Sequence, residues 1–415
     1  MLKYKIRYIY FFVIIILFFT GSCVTYTKTT QSKNFAYLYN PVLTPIHPEI
    51  SFYFLPKNQM SAYITLNNKE LGYVSNTGKL YFNYKVFHSF ADPTVTDSGT
   101  VIINPQENKE QTFVNIDFNT GGLKNLVVWI HFFDEITKAK YENYFFLDAT
   151  NINSRYNFLF ADANTGQVIS RYFAPQNIKI KHNAADSLLV AEYMLKNDFP
   201  LLPFSTKHLE IDNIFDKPDT TFYVQNNIDF NFIQKGLYIF SADTFSKTGT
   251  LVGYYGKDFP MVKTPTEMLK PLYYLLNSTE YKEYASYKNR KEAIDDFWLK
   301  TGKNKFRAKE LIKVYYNRVV LANILFTDYK AGWQTDRGMI YIIFGPPKYV
   351  YKSPNSEKWV YSKGSDSMNL SFVFEKQKNF YTDNFYILKR KLDYKTIWYQ
   401  AVQAWRDGYV YSVSN

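Results

Sequence analysis

The sequence contains one cysteine, Cys23, so no disulfide can form within the chain. Small exported domains often depend on disulfides for stability, and here each domain must instead be stabilised by its apolar core. Hydrophobic residues make up 46% of the chain and charged residues 21%, a composition unlike that of a disordered protein. The length of 415 residues allows two to four domains.

Histidine is also scarce, and the five histidines all precede residue 264. No HExxH, P-loop, GxGxxG or GxSxG pattern occurs. The part after residue 264 therefore lacks the usual zinc ligands and the commonest general base. We expect no metal, no cofactor and no catalytic residue, and a hydrolase with an unrecognised site is left as an alternative.

One short pattern, Asp97-Ser98-Gly99-Thr100, matches the nucleophile turn of aspartic proteases. Those enzymes need two carboxylates that share a proton, and the pattern occurs once. We predict a polar hairpin turn at these residues.

Arginine is rare beside lysine, with nine arginines among 49 basic residues and a formal net charge of +12. The basic residues are scattered, which is typical of a solvated surface. No arginine-rich or lysine-rich run is present, so nucleic-acid binding is not expected.

The start of the chain has the architecture of a signal peptide. Lys3, Lys5 and Arg7 precede an apolar run at 9–19, which is short for a membrane span. The small residues just before Cys23 resemble the lipobox of bacterial lipoproteins. That resemblance implies cleavage after residue 22 and a diacylglycerol on Cys23. We predict a signal peptide at 1–22, a polar tether at 23–35, and anchoring in the outer membrane on its periplasmic face.

Alternation of apolar and polar residues predicts β-structure over the next two segments. The pattern is regular at 82–86, 114–118 and 228–232, while 126–133 is nearly all apolar, as in a central strand. We predict immunoglobulin-like β-sandwich domains at 36–150 and 151–262.

The periodicity changes at Thr264, where Thr264-Pro265-Thr266-Glu267 is typical of a helix start. Helices are expected near 265–277, 290–300, 308–326 and 393–406, with Gly408 as a C-cap. Strands are expected over about 340–390. The predicted fold is mainly β, with an α+β domain at 263–415.

Residues 331–345 carry a resemblance to a known family. Gly332-Trp333-Gln334-Thr335-Asp336-Arg337-Gly338, an apolar run and Gly345-Pro346 resemble the GWxTD domain found in lipoproteins of Bacteroidota. The resemblance covers about 290–390, and the family has no established activity that it would imply. Supporting positions are Phe297, Trp298, Arg318, Asn323, Trp359 and Tyr361.

The motif residues also have physical interpretations. Gly332 allows a close backbone approach, and Trp333 is expected to be a buried anchor with its indole N–H bonded. Thr335 or Asp336 is expected to cap the next element of the chain, and Asp336 to pair with an arginine such as Arg318. Six of the nine arginines lie after residue 289. They form either a structural network or a site for a carboxylate or phosphate.

These observations predict a non-enzymatic, outer-membrane-anchored scaffold. The two sandwiches would act as a spacer, and the last domain would dock a protein partner of the envelope. The alternative is a binding module for peptidoglycan or another glycan, because aromatic residues make up 19% of the chain and exposed rings stack on sugars. The order Gly-x-Pro, Trp-x-Tyr, Phe-x-Phe after residue 344 also resembles the small lipoprotein subunit of the outer-membrane β-barrel assembly machinery.

Overall fold

The fold is mainly β, with several antiparallel sheets and with helices that lie mostly in the C-terminal part. This computed structural model describes residues 33–44, 46–67, 79–104, 110–148, 150–196, 198–207, 215, 217–243, 248–361, 370–379 and 381–411. The predicted signal peptide, Cys23 and most of the tether lie outside the described residues. No helix in the described part of the chain combines the length and the apolar character needed to cross a bilayer.

Seven strands form the first β unit. They are arranged as two antiparallel sheets, with orders β1-β2-β5 and β4-β3-β6-β7, and both sheets contribute to one buried cluster. The predicted strands at 82–86, 114–118 and 126–133 lie within β3, β5 and β6, and β6 is central, as expected. The strands are β1 (Glu49–Leu55), β2 (Gln59–Asn67), β3 (Leu80–Phe87), β4 (Val95–Ile103), β5 (Gln111–Asn119), β6 (Asn125–Asp134) and β7 (Lys140–Asp148).

The hairpin turn predicted at 97–100 is wrong, because these residues lie in the middle of β4. β4 is the outer strand of its sheet, where polar side chains are tolerated on an exposed edge. Asp97 accepts a hydrogen bond from the backbone N–H of Asn119 at 2.7 Å, which links β4 to the end of β5.

The second β unit repeats the strand order of the first. Its sheets are β8-β9-β12 and β11-β10-β13-β14, so corresponding strands pair in the same way in both units. Side chains of both sheets again share one buried cluster. The strands are β8 (Phe158–Asp162), β9 (Asn177–His182), β10 (Ser187–Met194), β11 (Thr220–Gln225), β12 (Ile228–Asn231), β13 (Gly236–Ser241) and β14 (Thr250–Tyr254).

The C-terminal module combines helices with a four-stranded antiparallel sheet of order β15-β16-β17-β18. Thr264 caps α1 in a capping box with Glu267, as predicted, but α1 passes into a 3-10 helix at Lys270–Tyr274. α2 was not predicted. The elements are α1 (Pro265–Leu269), α2 (Ser278–Ser286), α3 (Arg290–Gly302), α4 (Lys305–Phe326), α5 (Asp336–Phe344), β15 (Tyr349–Ser353), β16 (Ser356–Tyr361), β17 (Leu370–Lys376), β18 (Tyr386–Leu388) and α6 (Tyr394–Arg406).

Strand structure was expected from residue 340, but residues 336–344 form α5. The isoleucines favour strands, and two local features override that preference. Thr335 accepts a hydrogen bond from the N–H of Gly338 at the helix start, and all nine residues of α5 are buried. A helix buried on every side has no polar face, so its sequence shows no helical periodicity.

The first described residues pack on the C-terminal module. Asn34 Oδ1 accepts the N–H of Val350, and the N–H of Phe35 donates to the Val350 carbonyl, so this segment lies along the edge of β15. Phe35 and Tyr39 join the buried cluster of the module. The Tyr39 hydroxyl donates to the buried carboxylate of Glu357 at 2.7 Å.

The Tyr39 contact leads to a stability prediction. Tyr39→Phe removes one donor from a buried carboxylate and should lower the free energy of unfolding by about 1–3 kcal/mol. Chemical denaturation followed by tryptophan fluorescence measures the loss. Tyr53→Phe is the control, since Tyr53 is 1% exposed and no described residue accepts a hydrogen bond from its hydroxyl. Equal stability of the two variants would contradict the role assigned to Tyr39.

Candidate functional site

The motif begins with a 3-10 turn at Gly332–Gln334, which lies between α4 and α5. The N–H of Gly332 donates to the Thr327 hydroxyl at 2.9 Å, and the N–H of Trp333 donates to Asn323 Oδ1 at 3.1 Å. Asn323 also donates to the Pro260 carbonyl at 3.0 Å. Side chains at the end of α4 therefore hold the turn in place.

Two glycines are required by close backbone packing. A Cβ on Gly332 would lie 1.9 Å from the Ala322 carbonyl oxygen, and one on Gly338 would lie 1.9 Å from the Gly332 carbonyl oxygen. Both distances are far below van der Waals contact. The turn thus packs against α4 on one side and against α5 on the other with no room for side chains.

Thr335 and Asp336 fix the start of α5. The Thr335 hydroxyl donates to the Gly332 carbonyl at 2.8 Å and accepts from the Gly338 N–H at 3.0 Å. Asp336 accepts the Leu388 N–H at 2.8 Å and an Arg390 N–H at 2.6 Å. Burial raises the pKa of Asp336, against the opposing effect of Arg390.

Asp336 therefore pairs with an arginine, as expected, but the partner is Arg390 and not Arg318, the example given from the sequence. Arg318 instead donates to the carbonyls of Ile342 and Ile343, at 3.0 and 3.1 Å, at the C-terminal end of α5. A cation is favourable there because the carbonyls of the last turn are unsatisfied. Burial lowers the pKa of Arg318 to about 10.

Arg337 lies in a second buried polar group. It donates to the carbonyl and side chain of Asn384 at 2.8 and 2.6 Å, and it lies 3.7 Å from Glu357. Its guanidinium centre is 4.1 Å from the centroid of the Tyr386 ring. Burial disfavours the charge of Arg337, but Glu357 and neighbouring tyrosines hold its pKa above the ordinary value.

The end of α5 is a tight junction. Gly345 has a φ of +82°, and a Cβ there would lie 2.7 Å from Arg318. The Tyr361 hydroxyl donates to the Gly345 carbonyl at 2.9 Å. Gly345 is buried, whereas Pro346, which was also assigned to the motif, is exposed.

The supporting aromatic residues are all buried. Phe297 and Trp298 pack between α2 and α4, with Trp298 Nε1 donating to the Tyr316 hydroxyl at 3.4 Å. Trp359 donates to Glu357 at 3.2 Å and packs on Tyr39 and Phe326. These residues form the apolar surroundings of the motif.

The six C-terminal arginines do not converge on one point. Each of them donates to at least one backbone carbonyl, and three also pair with a carboxylate: Arg337 with Glu357, Arg390 with Asp336, and Arg406 with Glu280. Several carbonyls can be reached at once by the fixed fork of a guanidinium, which an ammonium lacks. The six are Arg290, Arg307, Arg318, Arg337, Arg390 and Arg406.

A cavity of about 1080 Å³ opens beside the motif, between the second β unit and the C-terminal module. We call it the Trp333 cavity. Trp333 is 8% exposed and lines it together with the rings of Phe199, Tyr255 and Phe259. No described residue accepts a hydrogen bond from the indole N–H, which was expected to be bonded. The buried Tyr255 hydroxyl also has no hydrogen-bond partner among the described residues.

The carboxylates and the lysines around the Trp333 cavity differ in their bonding partners. Asp219 accepts the Met194 N–H at 2.8 Å, and Glu267 accepts the N–H groups of the α1 cap. Lys196, Lys217 and Lys235 also line the cavity and form no ion pair with a described residue. Lys270, Lys330 and Asp198 line it as well, so the lining holds five lysines and three carboxylates, and its net charge is positive. In the described part of the chain, no group of three or more His, Cys, Asp or Glu is placed to hold a metal ion.

The sequence located the motif but not most of its partners. Arg390 was visible as one of the six arginines after residue 289. Tyr39 and Asn384 gave no signal, since they are 298 and 47 residues from Arg337 in the sequence. Only the fold brings them together.

Residues 236–407 match the model of the GWxTD domain, which is less than half of the chain. A GWxTD domain is thus present in this protein, and its match begins in β13, before the start of the predicted C-terminal domain at 263. A comparison with curated proteins finds no match.

The glycine contacts lead to a second prediction. Gly338→Ala should lower the melting temperature by more than about 10 °C or prevent folding, because a backbone must move to admit the Cβ. Gly166→Ala is the control, since no atom lies within 4 Å of its Cβ and only its φ of +74° opposes the change. That control should cost about 1 kcal/mol. Similar melting temperatures for both variants would exclude the packing explanation.

Asp328, just before the motif, leads to a pH prediction. It is 3% exposed, and burial raises the pKa of its carboxyl to about 7. Its folded pKa exceeds its unfolded value, so its contribution to stability is present at low pH and is lost as pH rises through 7. When the pH rises from 5 to 8, the free energy of unfolding of Asp328→Asn should therefore fall by about 2–4 kcal/mol less than that of the unchanged protein.

Chemical denaturation at pH 5, 6, 7 and 8 measures this difference. Asp258→Asn is the control, because a hydrogen bond from Lys263 lowers the pKa of this exposed carboxyl. Its contribution changes only at lower pH, so its profile should run parallel to that of the unchanged protein. A parallel profile for Asp328→Asn as well would refute the prediction.

Proposed function

We propose that this protein is a lipid-anchored, non-enzymatic component of the bacterial cell envelope that acts by binding a neighbouring protein. The observation that supports this most is the burial of the motif charges. Asp336 is 6% exposed and Arg337 3% exposed, and each is paired within the chain. A catalytic acid, base or anion-binding group must reach a ligand, and these two groups face only the protein. In this proposal the GWxTD motif stabilises a module whose surface does the binding.

The proposed anchor is Cys23, with a signal peptide removed at residue 22, as in lipoproteins of Bacteroidota. Only ten residues lie between Cys23 and Asn34, so the two can be at most about 40 Å apart. Asn34 and Phe35 pack on β15 of the C-terminal module. This contact supports a module held close to the membrane, in place of β units that act as a spacer before it. The outer membrane, on its periplasmic face, remains the proposed location.

Both β units are proposed to be immunoglobulin-like. Strands of the first unit pair as A-B-E (β1-β2-β5) and as a four-stranded sheet whose last three members correspond to C-F-G (β3-β6-β7). The second unit has the same order. The fourth strand of each unit pairs with the third strand, whereas in the constant-type immunoglobulin domain it lies in the opposite sheet.

The Trp333 cavity is the proposed binding site. Its aromatic walls suit an apolar segment, and Lys196, Lys217 and Lys235 suit acidic residues beside that segment. Its volume, about 1080 Å³, is at the upper end of the usual range for ligand sites. The proposed occupant is an apolar stretch of a partner protein with acidic flanks.

Site-specific photocrosslinking in cells tests this proposal. A photoreactive residue at Met261, which lines the cavity and is 50% exposed, should give one defined protein adduct. The same residue at Phe306, 78% exposed and not in the cavity, should not give that adduct. Lys217→Glu with Lys235→Glu should reduce the Met261 adduct about tenfold through charge repulsion.

An adduct that is equal at both positions, or unchanged by the charge reversal, would reject the cavity as the binding site. Mass spectrometry of the mature N-terminus tests the anchor separately. An unmodified Cys23 would reject the lipoprotein part of the proposal.

A further inference from the structure

The outer face of the sheet β4-β3-β6-β7 carries aromatic side chains where polar ones are usual. Side chains alternate along a strand, and Phe82, Ile130 and Phe132 point into the core, each 0% exposed. Their neighbours in the sequence point outward. Five of these outward residues, which we call the aromatic face, are aromatic or imidazole rings that are each partly exposed: Tyr81, Trp129, His131, Phe133 and Tyr144.

Strand register brings these five rings together. Tyr81 of β3 lies opposite Phe133 of β6, and Trp129 of β6 lies opposite Tyr144 of β7. Directly opposed residues on one face of a sheet are in side-chain contact. Along β6 itself, the Trp129 and His131 rings are 5.7 Å apart with an angle of 11° between their planes. The rings of His131 and Phe133 are 6.4 Å apart at 14°. The three rings of β6 are therefore nearly parallel.

Hydrogen-bonding groups lie between the rings. Trp129 Nε1 donates to Glu142 at 2.5 Å. Asn83 lies opposite both Thr100 and His131, and it accepts a hydrogen bond from the Thr100 hydroxyl at 2.8 Å. The orientation of Trp129 is thus fixed by a charge-assisted hydrogen bond. Fixed rings beside amide, hydroxyl and imidazole groups provide both the stacking and the hydrogen bonding that sugar rings need.

The charge on the aromatic face is positive. Lys85 lies 5.5 Å from the centre of the Trp129 ring, and Lys138 and Lys140 lie 5.8 and 5.9 Å from that of Phe133. These three lysines are exposed and form no ion pair with a described residue. Glu142, which lies opposite His131, is acidic, and its carboxylate accepts the hydrogen bond from the Trp129 indole. An anionic ligand complements this distribution.

We propose that the aromatic face binds an acidic glycan, with sugar rings stacked on Trp129, His131 and Phe133 and its anionic groups paired with Lys85, Lys138 and Lys140. This proposal rests on the proposed envelope location in one respect, which is the source of the glycan. The rings and lysines assigned to the glycan all lie in the first β unit, and Tyr144, at the edge of the face, also packs on Phe35.

Trp129 allows a direct measurement. The other five tryptophans are at most 8% exposed, so ligand-induced changes in fluorescence should arise mainly from Trp129. Addition of a soluble uronic-acid oligosaccharide to the full chain should shift and quench this emission. A neutral oligosaccharide of equal length should bind more weakly, and polyglutamate, which carries charge without sugar rings, should cause no change.

Variants identify the residues involved. Trp129→Ala should weaken binding about tenfold in affinity electrophoresis, and Trp129→Tyr should restore most of it. Tyr223→Ala is the aromatic control, since Tyr223 is 64% exposed on β11 of the second β unit. Lys85→Gln with Lys140→Gln should weaken binding to the acidic glycan and not to the neutral one, while Lys358→Gln, an exposed lysine on β16, should have no effect. Circular dichroism must show that each variant is folded.

Two outcomes would overturn the proposal: no fluorescence change with either oligosaccharide, or equal binding of polyglutamate. If the acidic oligosaccharide binds, retention of the protein on isolated cell wall or on extracted surface polysaccharide shows which of these two is the natural source of the glycan. Cys23 acylation is measured separately, so failure of glycan binding and failure of the anchor can be told apart.

Discussion

The burial of the Arg337–Glu357 pair is the constraint on which the C-terminal module depends. The two residues are 3% and 1% exposed. Removal of such charges from water costs several kcal/mol per ion unless hydrogen bonds replace the lost hydration. Those bonds come from Asn384, Tyr39 and Trp359. The partners lie in three separate parts of the chain, so the loop before β18, the N-terminal segment and β16 must all be in place before the pair is satisfied.

The same demand accounts for the composition of the motif. A helix whose nine residues are all buried needs partners for both of its ends. Thr335 caps the first end, and Arg318 donates to the carbonyls of the last. Asp336 joins the first turn of α5 to Leu388 of β18 and to Arg390. Gly332 and Gly338 are required because α4, the turn and α5 approach at backbone distance. Three of the four named letters of the motif, Gly332, Thr335 and Asp336, therefore describe one solution to packing and polar satisfaction, and no reacting group is needed to explain them.

The sequence predicted those parts of the fold in which neighbouring residues decide the structure. Alternation identified β3, β5 and β12, a nearly unbroken apolar run identified β6, and the capping box identified the start of α1. It failed where distant contacts decide: α5 was expected to be a strand because its burial comes from elements on both sides of it in the sequence. The partner of Asp336 was misassigned for the same reason, since nothing local distinguishes Arg390 from Arg318. The Trp333 cavity and the aromatic face likewise arise from pairing between strands and from contacts between modules.

A satisfied interior also indicates where function must be sought. The core of the first β unit is built by the inward residues of its strands, so the fold does not require rings at Trp129, His131 and Phe133. Partly exposed rings on a solvent-facing sheet carry a cost in solubility that a purely structural role does not explain. The buried polar residues of the motif, Thr335, Asp336 and Arg337, are by contrast explained by the stability of their module. The functions that we propose are therefore placed on surfaces that the fold does not need, the aromatic face and the Trp333 cavity, while Gly332, Thr335 and Asp336 stabilise the module that presents the cavity.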